Sequence, residues 1–156
     1  MSKKKVLMVC LGNICRSPIA EAVFINEVKK RGLQNQWETQ SAGIIDNHTG
    51  RQPDSRARSI LKENGITDYS HKARQIVEAD FNKYDWIFGM DQANIEDLNR
   101  QKPKNCRAKV ELLGNYHPGR SIIIRDPYYD SGAVGFQEIY DQCLACITAF
   151  LDKYST

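Results

Sequence analysis

The sequence predicts an α/β fold: a three-layer sandwich in which a four-stranded parallel sheet is flanked by helices on both faces. Three observations lead there. Four short strand-like segments alternate with segments of helical periodicity, the order produced by parallel strands joined through right-handed crossover helices. The first run, residues 5–9 (KVLMV), is almost wholly apolar, as a strand covered on both faces must be. With 156 residues, 41% hydrophobic and 26% charged, the chain can bury one core without disulfide or metal staples. No repeat, low-complexity tract or linker divides it, so residues 1–156 are expected to form one domain.

The elements follow in order. After Val9 comes a turn, and Ser17-Pro18 is placed to open the first helix: Pro18 suits the first helical position, and Glu21 gains from the positive helix end. Ala20, Phe24 and Val28 give that helix an apolar side, and Gly32 is suited to terminate it. Residues 37–41 read as the second strand. Pro53-Asp54 starts a helix that turns Ala57, Ile60 and Leu61 inward and stops at Gly65. Residues 85–90 (DWIFGM) form the third strand, and Asp91 is placed to cap a helix running through Leu98. Residues 108–113 (AKVELL) form the fourth. A loop carrying Asp126-Pro127-Tyr128-Tyr129-Asp130 follows. The last helix starts near Val134, where Phe136, Ile139, Tyr140, Cys143, Leu144, Ile147, Phe150, Leu151 and Tyr154 recur at the helical period.

Composition excludes several classes of function. A net charge of +3, with both signs mixed along the chain, leaves no basic stripe for nucleic acid. The apolar run 6–12 behind Lys3-Lys4-Lys5 is too short for a secretory signal or a membrane span, so a cytoplasmic protein without stable membrane association is expected. The five cysteines are an odd number without an export signal, which favours free thiols. No Cys/His set has zinc spacing, and Cys143-x-x-Cys146 falls on the amphipathic last helix as core thiols. Neither Gly-Lys-Ser/Thr nor Gly-x-Gly-x-x-Gly is present, so no metal, nucleotide or other cofactor is expected.

The chemistry concentrates in the turn Cys10-Leu11-Gly12-Asn13-Ile14-Cys15-Arg16-Ser17. Ligands of parallel sheets bind beyond the carboxyl ends of the strands, and a turn between a strand end and a helix start can aim successive N–H groups at an anion. Gly12 and Asn13 are residue types that tolerate left-handed backbone angles. Arg16 adds a planar fork able to grip two phosphate oxygens. Amides, helix dipole and guanidinium together favour thiolate over thiol at Cys10, which makes a nucleophile ready at neutral pH. The competing reading is a plain buried strand-end cysteine, and Cys-x5-Arg alone would not displace it; the strand end, Gly-Asn and Ser-Pro around it do.

The run from Val9 to Pro18 resembles the signature of the low-molecular-weight protein tyrosine phosphatases. The resemblance continues through Ser41-Ala42-Gly43, His71-Lys72-Ala73-Arg74-Gln75, Phe88-Gly89-Met90-Asp91 and Asp126-Pro127-Tyr128-Tyr129, in order across nearly the whole chain. It implies a metal-independent hydrolysis of phosphotyrosine and small aryl phosphates through a cysteinyl-phosphate. Cys10 would be the nucleophile, Arg16 the holder of the equatorial oxygens, and Asp126 the general acid and later base. Leu11, Gly12, Asn13, Ile14, Cys15 and Ser17 would complete the phosphate-binding loop, with Asn13, Ser17, Ser41 and His71 as the network supporting it. The resemblance further implies a reversible Cys10–Cys15 disulfide. Tyr128 and Tyr129 would stand at the cleft mouth, and either could be a kinase target. Relatives acting on phosphoarginine tend to carry threonine where this chain has Ile14, which suits an aromatic ring instead. One departure stands out: Asn47 occupies a cleft position that usually holds Trp or Tyr. His48 and His117 have no counterpart in the pattern and read as solvent-facing. The expected partners are phosphotyrosine-containing proteins. Two rival readings are a thiol-dependent arsenate reductase on the same fold, which needs two further relay cysteines, and a non-catalytic phosphoprotein-binding module.

Overall fold

The computed structural model describes residues 2–155. In chain order the elements are β1 (Lys4–Cys10), α1 (Arg16–Lys30), β2 (Trp37–Gly43), α2 (Ser55–Glu63), α3 (Asp80–Lys83), β3 (Trp86–Gly89), α4 (Gln92–Gln101), β4 (Lys109–Leu112), a 3-10 turn (Leu113–Tyr116) and α5 (Val134–Tyr154). The four strands pair in parallel in the order β2-β1-β3-β4. Strand β1 lies inside the sheet, and Val6 to Cys10 are all buried, which accounts for its unbroken apolar run.

Alternation along β1 sorts the core into two layers. Val6 and Met8 face a cluster shared with Ile19, Phe24, Ile147 and Phe150 under α1 and α5. Leu7 and Val9 face a smaller one with Phe81, Tyr84, Ile87 and Leu98 under α3 and α4. From β1 the chain crosses to β2 on one side and later to β3 on the other. The strand order therefore reverses at the carboxyl end of β1, where a crevice opens and where open parallel sheets place their ligands. Cys10 is the residue that ends this strand.

Helix ends follow the local chemistry. The Asp54 and Asp91 side chains accept from the N–H groups of Arg56 and Asn94 at the starts of α2 and α4. Gly32 and Gly65, just beyond α1 and α2, have φ of 69° and 87°. Helix α1 begins earlier than expected, at Arg16, with no side-chain cap, so Pro18 is its third residue. The first four N–H groups of a helix have no intrahelical partner, so a proline there costs no helical bond. Helix α3 and the 3-10 turn, which the sequence reading did not assign, are one-turn pieces too short to show a period, and the turn takes Leu113 from the end of the expected fourth strand. No helix among the described residues is long and apolar enough to cross a membrane.

Candidate active site

The loop between β1 and α1 curls back on the Cys10 sulfur. Sγ lies 3.0 Å from Ser17 Oγ and accepts the Asn13 N–H at 3.3 Å. The curl depends on Asn13, the one non-glycine residue with positive φ (60°) among the described residues, and it is fully buried. Left-handed backbone costs a side-chain-bearing residue roughly 1–2 kcal/mol, and the Asn13 amide offsets this with four hydrogen bonds. Its Oδ1 accepts the Arg74 N–H at 3.0 Å, which identifies that atom as the carbonyl. His71 Nε2, 2.8 Å from the same oxygen, must therefore carry a proton and donate it. Nδ2 in turn donates to Ser17 Oγ at 2.9 Å and Ser41 Oγ at 3.0 Å.

These directions propagate. Having accepted from Asn13, the Ser17 hydroxyl has its proton free for the Cys10 sulfur. Ser41, likewise, sends its proton to Glu21 Oε1 at 2.5 Å, and Tyr69 donates to the same oxygen at 2.8 Å. Ser41 reaches this point because Met8 pairs with it in the β1–β2 register. Glu21 is thus no helix-dipole residue, as its place in the sequence suggested: it is buried and braces the network, and burial raises its pKa against the pull of its two donors. Removing the hub should show its weight. Asn13→Ala is expected to lower stability by about 3–4 kcal/mol, since it strands a buried N–H and keeps the left-handed strain. Loss of loop order should also cut kcat/KM by roughly 10²-fold; urea unfolding and steady-state kinetics would read the two effects.

Arg16 is 2% exposed and oriented from one edge. Nη1 donates to Asp91 Oδ2 at 2.6 Å and to the Ile124 carbonyl at 3.0 Å. Nε is buried without a hydrogen-bond partner among the described residues, and Nη2 faces only Asp126 Oδ2, at 3.6 Å. The Nε/Nη2 edge is thus the fork left for an anion. Burial works against the guanidinium charge, but the charges at Cys10 and Asp91 outweigh it and the pKa is raised. Sequence alone gives Asp91 only a cap. The structure uses both its oxygens, Oδ1 on the Asn94 N–H at 2.8 Å and Oδ2 on Arg16.

Above the loop is a pocket of about 110 Å³, with Cys10 and Arg16 among its lining, Asp126, Tyr128 and Tyr129 on one wall, and Ile45, Asn47 and His48 on another. Asp126 is exposed, and its Oδ1 accepts the Tyr128 N–H at 3.0 Å, leaving Oδ2 toward Arg16. Arg56, absent from the sequence expectations, ties this segment down: Nη2 donates to the Tyr128 carbonyl at 3.0 Å and Nη1 to that of Asp130 at 2.7 Å, while Nε and Nη2 hold the Asp54 carboxylate. Tyr128 is half-buried and Tyr129 92% exposed, their rings edge to face at 4.9 Å. Ile14 is 8% exposed, and Asn47 is open to solvent.

Three expectations need correction. His48 is not solvent-facing: it is half-buried beside Tyr128, with ring centroids 5.7 Å apart, and its Nδ1 is buried without a partner among the described residues. His117 is likewise only partly exposed, its Nδ1 accepting the Gly119 N–H at 3.3 Å. Gly12 is not left-handed either; its φ is ordinary, and what it supplies is room, because a Cβ there would lie 2.8 Å from His48 Cδ2. The corrections at His48 and Gly12 are one fact, since glycine at 12 lets an imidazole close over the loop. Its only sequence signal was proximity to Asn47.

Cys15, the last loop residue before α1, is buried, and burial and then the charge at Cys10 push its pKa up, so it is a neutral thiol, unbonded to Cys10. Cys143 and Cys146 are fully buried on α5, as core thiols should be, which removes them as relay cysteines for arsenate chemistry.

Comparison with known proteins agrees with this geometry. The family model described as low molecular weight phosphotyrosine protein phosphatase matches residues 5–155. A Sus scrofa protein of that name is 51% identical over 152 residues, covering 96% of this chain and 95% of the relative. Among solved structures, Primo-1 superposes with a TM-score of 0.92 at 42% identity, over 98% of this chain and 99% of the other. A drosophila arginine phosphatase, DARP, does so with 0.91 at 39% identity, over 97% and 98%. On a match that runs from β1 to the end of α5, and on relatives half identical along their whole length, the chain belongs to the low molecular weight phosphotyrosine protein phosphatase family.

Proposed function

We propose that this chain is a cysteine-dependent protein tyrosine phosphatase, hydrolysing phosphotyrosine in proteins and small aryl phosphates. One observation carries the reading: the Cys10 sulfur, the open edge of Arg16 and the Asp126 carboxylate surround a single pocket. The phosphoryl group would seat on the loop amides with two oxygens on the Arg16 Nε/Nη2 fork. Cys10 then attacks phosphorus in line as the P–O bond to the phenol breaks, and Asp126 gives its proton to the departing oxygen. The resulting carboxylate takes a proton from water, which attacks phosphorus, releases phosphate and returns the thiolate. The Ser17 hydroxyl stabilises the leaving sulfur in that second step. Charge is handled by preorganised donors rather than by reorganising water, which is where such sites gain most.

Substrates in this reading are tyrosine-phosphorylated proteins of the cytoplasm. Asn47 leaves one wall of the cleft polar, and His48 with Tyr128 supplies an aromatic surface in its place. Oxidation of Cys10 by peroxide to the sulfenate would be followed by displacement of hydroxide by the Cys15 thiol, giving a disulfide. Tyr129, the more exposed of the pair, is the one open to a tyrosine kinase.

Phosphoarginine, named for the drosophila neighbour, is the second chemistry to test; the buried isoleucine side chain at 14 gives a guanidinium no polar partner. Turnover of a phosphotyrosine peptide with at least tenfold lower kcat/KM for a phosphoarginine peptide is expected. Turnover of neither would sink the proposal. Asp126→Ala should lower kcat by about 10²–10³ on phosphotyrosine and much less on p-nitrophenyl phosphate, whose leaving group needs no proton. Equal losses on both would show that another group is the acid.

A further inference from the structure

A larger cavity, about 550 Å³, opens on the far side of the loop-supporting network, between α2 and the segment that carries His71. Leu61, Ile66 and the Tyr69 ring line it, while Arg58, Lys62 and Lys72 stand on it as cations. Among the described residues none of those three pairs with a carboxylate, although most arginines on this molecule do. The one carboxylate in the wall, Glu21, is buried and already takes the protons of Ser41 and Tyr69. Apolar floor and unpaired cations complement a flat ring bearing an anionic group.

The cavity shares its wall with the machinery of the other site. Tyr69 stacks on His71, with ring centroids 6.2 Å apart and planes 17° apart. His71 donates to the Asn13 carbonyl that shapes the loop, and Tyr69 donates to the Glu21 oxygen that holds Ser41. A molecule pressed against the Tyr69 ring therefore bears on Asn13 through two hydrogen-bonded routes. We propose that this cavity is a binding site for small ring-bearing organic anions, and that its occupancy lowers turnover at Cys10 by displacing the Tyr69–His71 pair. The binding half stands on the cavity alone; the coupling half rests on the phosphatase reading.

The probe is 8-anilinonaphthalene-1-sulfonate, titrated by fluorescence into the full chain with benzylphosphonate saturating the Cys10 pocket. Saturable binding is expected to persist there, and to weaken about tenfold in R58E/K62E, two charges outside the catalytic machinery. Steady-state kinetics on p-nitrophenyl phosphate should show the probe lowering kcat at least twofold with little change in KM, and less in R58E/K62E, whose probe-free kcat should match wild type. Fluorescence lost on adding benzylphosphonate, or equal in wild type and variant, overturns the site. Binding that leaves kcat untouched overturns the coupling. A wild-type chain with no phosphatase activity would instead refute the preceding proposal, and the fluorescence arm would still decide whether the cavity binds.

Discussion

Cys10→Ser is expected to abolish turnover, lowering kcat by on the order of 10⁴–10⁶, while the protein keeps its fold and its grip on phosphate. The reason lies in the surroundings of the sulfur. Ser17 Oγ at 3.0 Å and the Asn13 N–H at 3.3 Å are set to stabilise a thiolate, the nucleophilic form of the side chain. A serine hydroxyl in the same place stays protonated, because no base stands next to it: the two groups in hydrogen-bond reach of that position, Ser17 Oγ and the Asn13 N–H, are both donors there. Binding should survive, because the Arg16 fork and the loop amides are untouched and an anionic neighbour of the phosphate has been removed. Calorimetry with a phosphotyrosine peptide would then give a Kd for the variant within about tenfold of the wild-type KM, alongside no detectable release of phosphate. A variant that retained more than about 1% of wild-type kcat would show that the nucleophile is elsewhere.

The division between what was legible in the sequence and what was not follows the range of each interaction. The loop 10–17 could be read because nucleophile, cradle and arginine are contiguous, and because a strand end and a helix start bracket them. Strands β1 and β3 could be read because they are covered on both faces and carry few polar residues, and the edge strands β2 and β4 because they alternate with helical segments. Arg56, Asp91 and His48 could not, since each acts on a segment brought to it only by the folded sheet. Asp91 is the sharpest instance. Its local role as a cap accounts for one carboxylate oxygen, and nothing local signals that the other reaches a guanidinium 75 residues earlier in the chain. Glu21 misled for a related reason: helix α1 starts two residues sooner than Pro18 implied, and the donors that hold its carboxylate inward, Ser41 and Tyr69, lie 20 and 48 residues away in the chain. Gly12 shows that residue type can be right while the reason is wrong, because glycine answers equally to a positive φ and to a close neighbour.

Arg16→Lys should be nearly as damaging as removal of the arginine altogether, with kcat down by about 10³ and KM raised less than tenfold. A lysine keeps the positive charge, so a small effect would follow if charge alone mattered. The geometry argues otherwise. Nη1 is occupied by Asp91 and the Ile124 carbonyl, and only because the guanidinium is planar and forked does a second edge remain for phosphate. One ammonium cannot serve both sides. Next to a carboxylate 2.6 Å from the nitrogen it replaces, it would stay with Asp91 and leave the phosphate facing a site with no bidentate donor. The loss falls mainly on kcat because the equatorial oxygens spread and gain charge as the phosphoryl group transfers, so the fork binds the transition state more tightly than the ester. Arg16→Ala is the comparison that decides the point. Lysine and alanine variants within about tenfold of each other would place the contribution in the fork, whereas a lysine variant within about tenfold of wild type would place it in the charge.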